Sequence, residues 1–403
     1  MPEGSVMSRA MSETTKLLAA VWAGWFSIIL VRFVIPPILP LIEADLNISR
    51  TSSGLLMSAY LFPYALMQVP AGIISDRVGS RRLIAVGIFG SSVATALSWF
   101  TYDFGQLLVL RAFAGTFAGL FFAPSTALVA SRESKRTGSA LGITFTGGPI
   151  ARTVIYLLVG LLVSVLQGWR PFYLISSIPG LIAGPAALIL IDERNSGNLE
   201  QRPARSMFST AIPQLLDLMR SRVIIAIFLF NLMISVAEWG LTTFTPEYLV
   251  YAKQVSVSLA SLLSLVSPLF GIFAAPFSGY LSDRFGFAPP TLIAMISMCI
   301  VSSLLPALTG SFQLIPLFSA WGFLGGLWWT ASITLVTSRI PREIRGAFLG
   351  LYNSMNFFGG TLGPIILGLV VDVAGFQALY LSTLLIYIFG IFLAIRISRS
   401  KAF

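Results

Sequence analysis

Two ionisable residues stand eight positions before a proline in otherwise apolar runs: Arg32 in LVRFVIPPILP and Glu238 in VAEWGLTTFTP. Two further arginines, Arg111 in LVLRAFAGTFAG and Arg152 in TGGPIART, are set among apolar neighbours in the same way. A charge near the centre of a hydrocarbon layer is opposed by roughly 2.5–3.5 kcal/mol, so each such residue is a candidate for function. A guanidinium grips carboxylate or phosphate through its planar fork, and a carboxylate can take a proton or pair with a guanidinium. Excess positive charge in a low-dielectric cavity attracts anions. The four residues together point to a small organic anion, a carboxylate, as cargo and to Glu238 as a proton site. The chain has no histidine and no Gly-Lys-Ser phosphate loop, which excludes Ser–His nucleophiles and histidine metal sites in their usual forms and gives no sign of ATP drive. No enzyme activity, metal or cofactor is expected.

Helices that cross a bilayer must position these residues. Of 403 residues, 56% are hydrophobic and 10% are charged, and the mean hydropathy is +0.86. A water-soluble chain of this length needs more polar surface. A span needs about 20 apolar residues. Such spans are expected near 17–41, 53–75, 82–101, 105–131, 138–167, 170–191, 222–249, 258–281, 289–309, 312–338, 344–372 and 376–397. The expectation is an all-α polytopic membrane protein with 12 transmembrane helices. Residues 1–16 are polar without a cleavage-site pattern, so the first run is read as a retained span. Cys299 is the sole cysteine, which rules out an intrachain disulfide. The polar stretch 192–221, ending in the amphipathic SMFSTAIPQLLDLMR, reads as a cytoplasmic linker with a helix on the membrane surface. It divides the chain into six-helix bundles over 1–191 and 222–403.

Charge sets the orientation. With the N-terminus inside, 20 of the 26 lysines and arginines fall in cytoplasmic segments, 3 in outer loops and 3 within spans. That bias predicts two cytoplasmic termini in a plasma or inner membrane. It also accounts for the net charge of +10 without nucleic acid. The halves repeat: Pro40 matches Pro246, Gly72, Asp76 and Gly79 match Gly279, Asp283 and Gly286, and Gly115 and Gly119 match Gly322 and Gly326. Gly138 and Gly142 match Gly346 and Gly350, again at an offset between 206 and 208. Six spans per half make the repeats parallel, which predicts a substrate site near the midplane between them.

The stretch GIISDRVGSRR, with its weaker copy GYLSDRFGFAP, resembles the signature loop between spans 2 and 3 of the major facilitator superfamily, and the resemblance covers essentially the whole chain. It implies the major facilitator fold, alternating access, and a cytoplasmic latch built from Gly72, Asp76, Arg77, Gly79 and Arg81, with Asp283 and Arg284 in the second copy. A carboxylate at a helix C-terminus such as Asp76 opposes the macrodipole and needs a partner, either Arg77, Arg81, Arg82 or the start of span 11 near Arg345. Arg81 and Arg82 also serve topology alone. In that architecture spans 1 and 7 face each other, so Arg32 and Glu238 form either a gate at the pseudo-twofold axis or a permanent structural bridge. Arg111 matches the superfamily's span-4 arginine, with Ala114 before Gly115. It is assigned either to substrate and proton coupling or to hydrogen bonds with nearby backbone. Gly148-Pro149 resembles the antiporter motif of span 5, with Arg152 and Thr153 where glycines are expected. Pro149 is expected to loosen that helix and Arg152 to face water or the axis.

The region RFVIPPILP, with Gly168-Trp169-Arg170 and the TGGP turn, is similar to the superfamily's anion:cation symporters of organic acids, with Val31 and Ala118 at two acidic positions of that branch. Tyr60, Tyr64 and Gln68 on span 2, Asn353 and Asn356 on span 11, and Trp328 on span 10 are further substrate candidates. Trp321, Trp329, Phe121 and Phe122 either line the cavity or pack. The expected function is proton-coupled symport of an organic anion by a monomer. A drug or metabolite exporter and an uncoupled facilitator are the alternatives.

Overall fold

The computed structural model describes residues 3–132, 137–192, 220–340 and 345–399, and these form helices joined by short turns. The surface helix expected in the linker lies in 193–219, outside the described residues. Among the described residues, eleven helices are long and apolar enough to span a membrane, from Glu13–Leu46 and Arg50–Val78 through to Ser311–Val336 and Phe348–Arg399. The last has 52 residues. At about 1.5 Å per residue it would run far beyond a hydrocarbon core of about 30 Å. It breaks at Gly375, whose φ of 78° lies outside the helical region, so it comprises spans 11 and 12. The protein is therefore a multi-pass, all-helical membrane protein, and its span ends fall within a few residues of those expected.

The duplication is written in the backbone. Positive φ occurs at Asn47 and Gln254, at Gly79 and Gly286, and at Gly168 and Gly375. Each pair is 207 residues apart. Gly79, with φ 95° and ψ 141°, turns the chain directly from span 2 into span 3, which a side chain would strain. Packing repeats at the same offset. A Cβ at Gly115 would meet the Tyr60 carbonyl oxygen, and one at Gly322 would meet that of Ser267. One at Gly119 would lie 2.6 Å from Met67 Cβ, and one at Gly326 2.8 Å from Ala274 Cβ. These glycines let span 4 approach span 2, and span 10 approach span 8, at backbone contact. The pattern over Gly138, Gly142 and Gly350 suggests the same role, but a Cβ at each would meet nothing within 4 Å among the described residues.

Contacts divide the chain into two compact units: Met1–Ile35, Ala59–Ile155 and Val165–Arg202 form one, and Pro36–Ser58, Tyr156–Ser164 and Pro203–Phe403 form the other. In the first, Trp25 packs edge-on against Phe121, Phe122 and Phe145 at 5.1–5.6 Å. In the second, the start of span 2 lies on span 11. A Cβ at Gly54 would meet the Pro364 carbonyl, one at Gly368 that of Arg50, and Ser58 donates to the carbonyl of Thr361.

Gly115→Val and Gly322→Val should each destabilise the protein by roughly 1–3 kcal/mol through overpacking. Gly142→Ala, with open space around it, should leave stability unchanged. Thermal unfolding of the purified protein measures the contrast, and equal midpoints for all three variants would remove the close-packing role.

Candidate functional site

Pro36 and Pro37 lack the N–H that a continuous helix would need. Span 1 accordingly breaks at Phe33 and Val34, between helices Glu3–Arg32 and Ile35–Leu46. Pro36 leaves the Arg32 carbonyl without its helical donor. In hydrocarbon such a group must be satisfied internally. Arg111, fully buried on span 4, does this: Nη1 donates to the Val31 carbonyl at 3.0 Å and Nη2 to the Arg32 carbonyl at 3.4 Å.

Two more arginines gather at the break. Arg32 is buried, with its guanidinium 4.2 Å from the Tyr64 ring centroid and 5.4 Å from that of Tyr60. The Arg111 guanidinium lies 4.6 Å from the same Tyr60 ring. Tyr60, Tyr64 and Gln68 are all buried and follow one another at four-residue spacing, which places them on one face of span 2. Tyr60 donates to the Ile28 carbonyl at 3.4 Å. Arg152 lies 4.8 Å over the ring of Phe33, a residue of the break itself. Span 5 is interrupted at Thr146, ahead of helix Gly147–Leu166. Pro149 cannot donate to the Phe145 carbonyl, so, as with Pro36 in span 1, the interruption lies just ahead of the proline, which itself sits in the first turn of the following helix. Three guanidinium groups thus converge on residues 31–33, a region of concentrated positive charge that suits an anion.

At the matching place in the second unit the helix does not break. Span 7 runs as one helix, Arg222–Tyr251, through Pro246. Thr242 and Thr243 stand where span 1 has its paired prolines, and Phe318 stands where span 4 has Arg111. Glu238 occupies the place of Arg32. It accepts from Tyr387 Oη at 3.3 Å and from Trp321 Nε1 at 3.4 Å. Trp321 opens a π turn, Trp321–Gly325, an irregularity common at functional positions. Arg32 belongs to the first unit and Glu238 to the second, and each has aromatic neighbours of its own.

Other candidates fall elsewhere. Asn356 Nδ2 donates to Ser235 Oγ at 2.6 Å, and Asn231 Nδ2 to the Tyr352 carbonyl at 2.7 Å, a polar seam joining spans 7 and 11. Asn353, on the same helix, is half-buried. Trp328 packs in an aromatic group with Phe230 and Trp329, and Trp329 stacks on Tyr352. Phe121 is buried against Trp25. In the loop, Asp76 and Arg77 are exposed, Gly72 has open space around it, and Arg81 donates to the Leu188 carbonyl. Asp283 is exposed and Arg284 donates to Tyr280 Oη at 2.8 Å. The Arg345 side chain lies outside the described residues. Sequence reasoning missed Asn231, Ser235 and Tyr387, and it missed Glu247, which falls inside an expected span and is fully buried. A charge directly after Pro246 was the available signal.

The model of the Major Facilitator Superfamily matches residues 21–252 and 227–402. The chain is 26% identical to the D-galactonate transporter of Escherichia coli O6:H1 over 365 residues, 83% of this chain and 84% of that one. It is 24% identical to the hexuronate transporter of Bacillus subtilis over 356 residues, 83% of each chain. It is 26% identical to the quinolone resistance protein NorA of Staphylococcus aureus over 367 residues, 89% of this chain and 90% of that one. In fold it is similar to a bacterial homologue of the human lysosomal transporter Spinster, with a TM-score of 0.80 at 16% identity over 97% of this chain and 99% of that one.

Arg111→Gln should lower stability by roughly 1.5–3 kcal/mol, the worth of a charged hydrogen bond, because two carbonyls at the break lose their donor. Unfolding of the purified variant in detergent reads this directly, and a midpoint equal to wild type would show that the break does not depend on Arg111.

Proposed function

The chain belongs to the Major Facilitator Superfamily, and on that footing we propose that it carries a small organic anion of the sugar-acid kind together with protons. Membership makes it a membrane transporter and not an enzyme. The observation that supports the anion is the convergence of Arg32, Arg111 and Arg152 on residues 31–33. Arg111 is committed to backbone and acts as a positioning residue. Arg32, resting on the Tyr60 and Tyr64 rings, and Arg152 meet the carboxylate, with Gln68 on the same face of span 2 as those rings. Relatives named for D-galactonate and hexuronate support the sugar-acid class. In this proposal two charges exchange partners: Arg32 takes the anion as Glu238 takes a proton and relaxes its hold on Tyr387 and Trp321. Asp76 and its loop are assigned to closing the cytoplasmic side.

A second reading has its own support. A carboxylate held by Trp321 and Tyr387 suits a lipophilic cation, and the relative NorA is named for quinolone resistance.

Proteoliposome uptake separates the two. D-galactonate should accumulate under an inward proton gradient. Arg32→Gln should weaken its binding more than tenfold, and Glu238→Gln should keep exchange but lose gradient-driven accumulation. Failure to bind any sugar acid, with a cationic dye bound in Arg32→Gln and lost in Glu238→Gln, would replace the anion reading with the exporter.

A further inference from the structure

A second group of charges lies at the end of span 2 opposite Asp76, wholly within the second unit. Span 1, expected to end near residue 41, continues as helix Ile35–Leu46 and carries Glu43. Glu43 is 5% exposed and Glu247, on span 7, is 0% exposed. Arg50, at the start of span 2, donates from Nε to Glu247 Oε1 at 3.0 Å and lies 3.9 Å from Glu43 Oε2. Ser53 donates to Glu43 Oε1 at 2.6 Å. Both carboxyl groups therefore face the same Arg50 side chain. The Oε2 atoms of both are buried without a donor from the protein.

Among the described residues, Arg50 is the cation that the surrounding elements bring to this pair. Asp372, from span 11, caps the span-2 helix by accepting from the N–H groups of Arg50 and Thr51 at 3.0 and 2.8 Å and from Thr51 Oγ1 at 2.6 Å. Tyr251 offers its ring to the Arg50 guanidinium at 5.1 Å. Lys253 is engaged with the Pro306 and Leu308 carbonyls, and Asp45 is exposed. Two buried carboxylates facing one guanidinium would leave a negative charge in excess, which burial strongly opposes. Two ionised carboxylates also cannot hydrogen-bond to each other, since neither is a donor.

We propose that Glu43 and Glu247 bind one proton between them and that this proton holds the ends of spans 1 and 2 against spans 7 and 11. The proton bridges one carboxyl to the other, and Arg50 balances the remaining charge. When these ends separate, each carboxyl meets water and the proton leaves to the solution on that side. Closure therefore takes up a proton, and by linkage acidity on that side favours the closed form. The proton is released to the side it came from, so it regulates the cycle rather than crossing the membrane. This inference needs that end to open during transport, but it does not need an anionic cargo.

The test uses full-length protein in lipid nanodiscs without substrate, in a Cys299→Ser background with spin labels at Ala44→Cys and Gln377→Cys, both exposed positions. Pulsed dipolar spectroscopy from pH 5 to 9 should show the short distance gaining as pH falls, with the closed-to-open ratio changing up to about tenfold per pH unit for one proton. Glu43→Gln and Glu247→Gln should each hold the short distance at every pH. A flat wild-type titration would overturn the proposal even if a variant fails to fold. So would a titration that persists in both glutamine variants, or a distance that follows sodium concentration at fixed pH. None of these outcomes touches the arginine site.

Discussion

Inside a bilayer no water is available to complete a backbone hydrogen bond, and this requirement organises the first half of the molecule. Paired prolines break span 1, the break exposes carbonyls, and a guanidinium from span 4 takes them up. The charge of Arg111 thus enters the hydrocarbon as part of the fold. Once it is there, the Tyr60 ring that faces it also faces Arg32, and Phe33 at the break receives Arg152. One backbone defect brings together the positive charge that an anion would use.

The duplicated half works as an internal comparison. Backbone turns and glycine contacts recur 207 residues apart, so both halves were built to one plan. Where the second half has Thr242 and Thr243 in place of prolines, span 7 stays continuous, and the arginine of span 4 is replaced by Phe318. Thr243 even returns its hydroxyl to the Trp239 carbonyl at 2.7 Å. The broken span 1 and the buried Arg111 occur together in one half, and at the matching places the other half has the continuous helix Arg222–Tyr251 and Phe318. A carboxylate, Glu238, stands where the first half has a guanidinium, and its donors come from spans 10 and 12.

Buried charge is handled in two ways. Arg111 is matched by fixed backbone carbonyls and serves as structure. Glu43 and Glu247 share a single guanidinium, and the shortfall is one that a proton can fill. In a low-dielectric setting an unmatched charge is expensive, so such positions are where a ligand or a proton changes the balance between conformations.

Hydropathy alone determined the number and ends of the spans, because transfer to hydrocarbon is additive along the chain. The repeat was legible because turns need particular residues, as at Gly79 and Gly286. The buried arginines were legible as candidates because a charge in an apolar run is rare. Their roles were not: Arg111 on carbonyls and Arg32 on tyrosine rings depend on residues 28 to 80 positions away in the chain. Glu43 and Glu247 look like ordinary charges near span ends, yet they meet across 204 residues. Only the packed helices decide such pairings, because hydrogen bonds and ion pairs act over a few ångströms in space, and local composition carries no record of which distant groups will share that space.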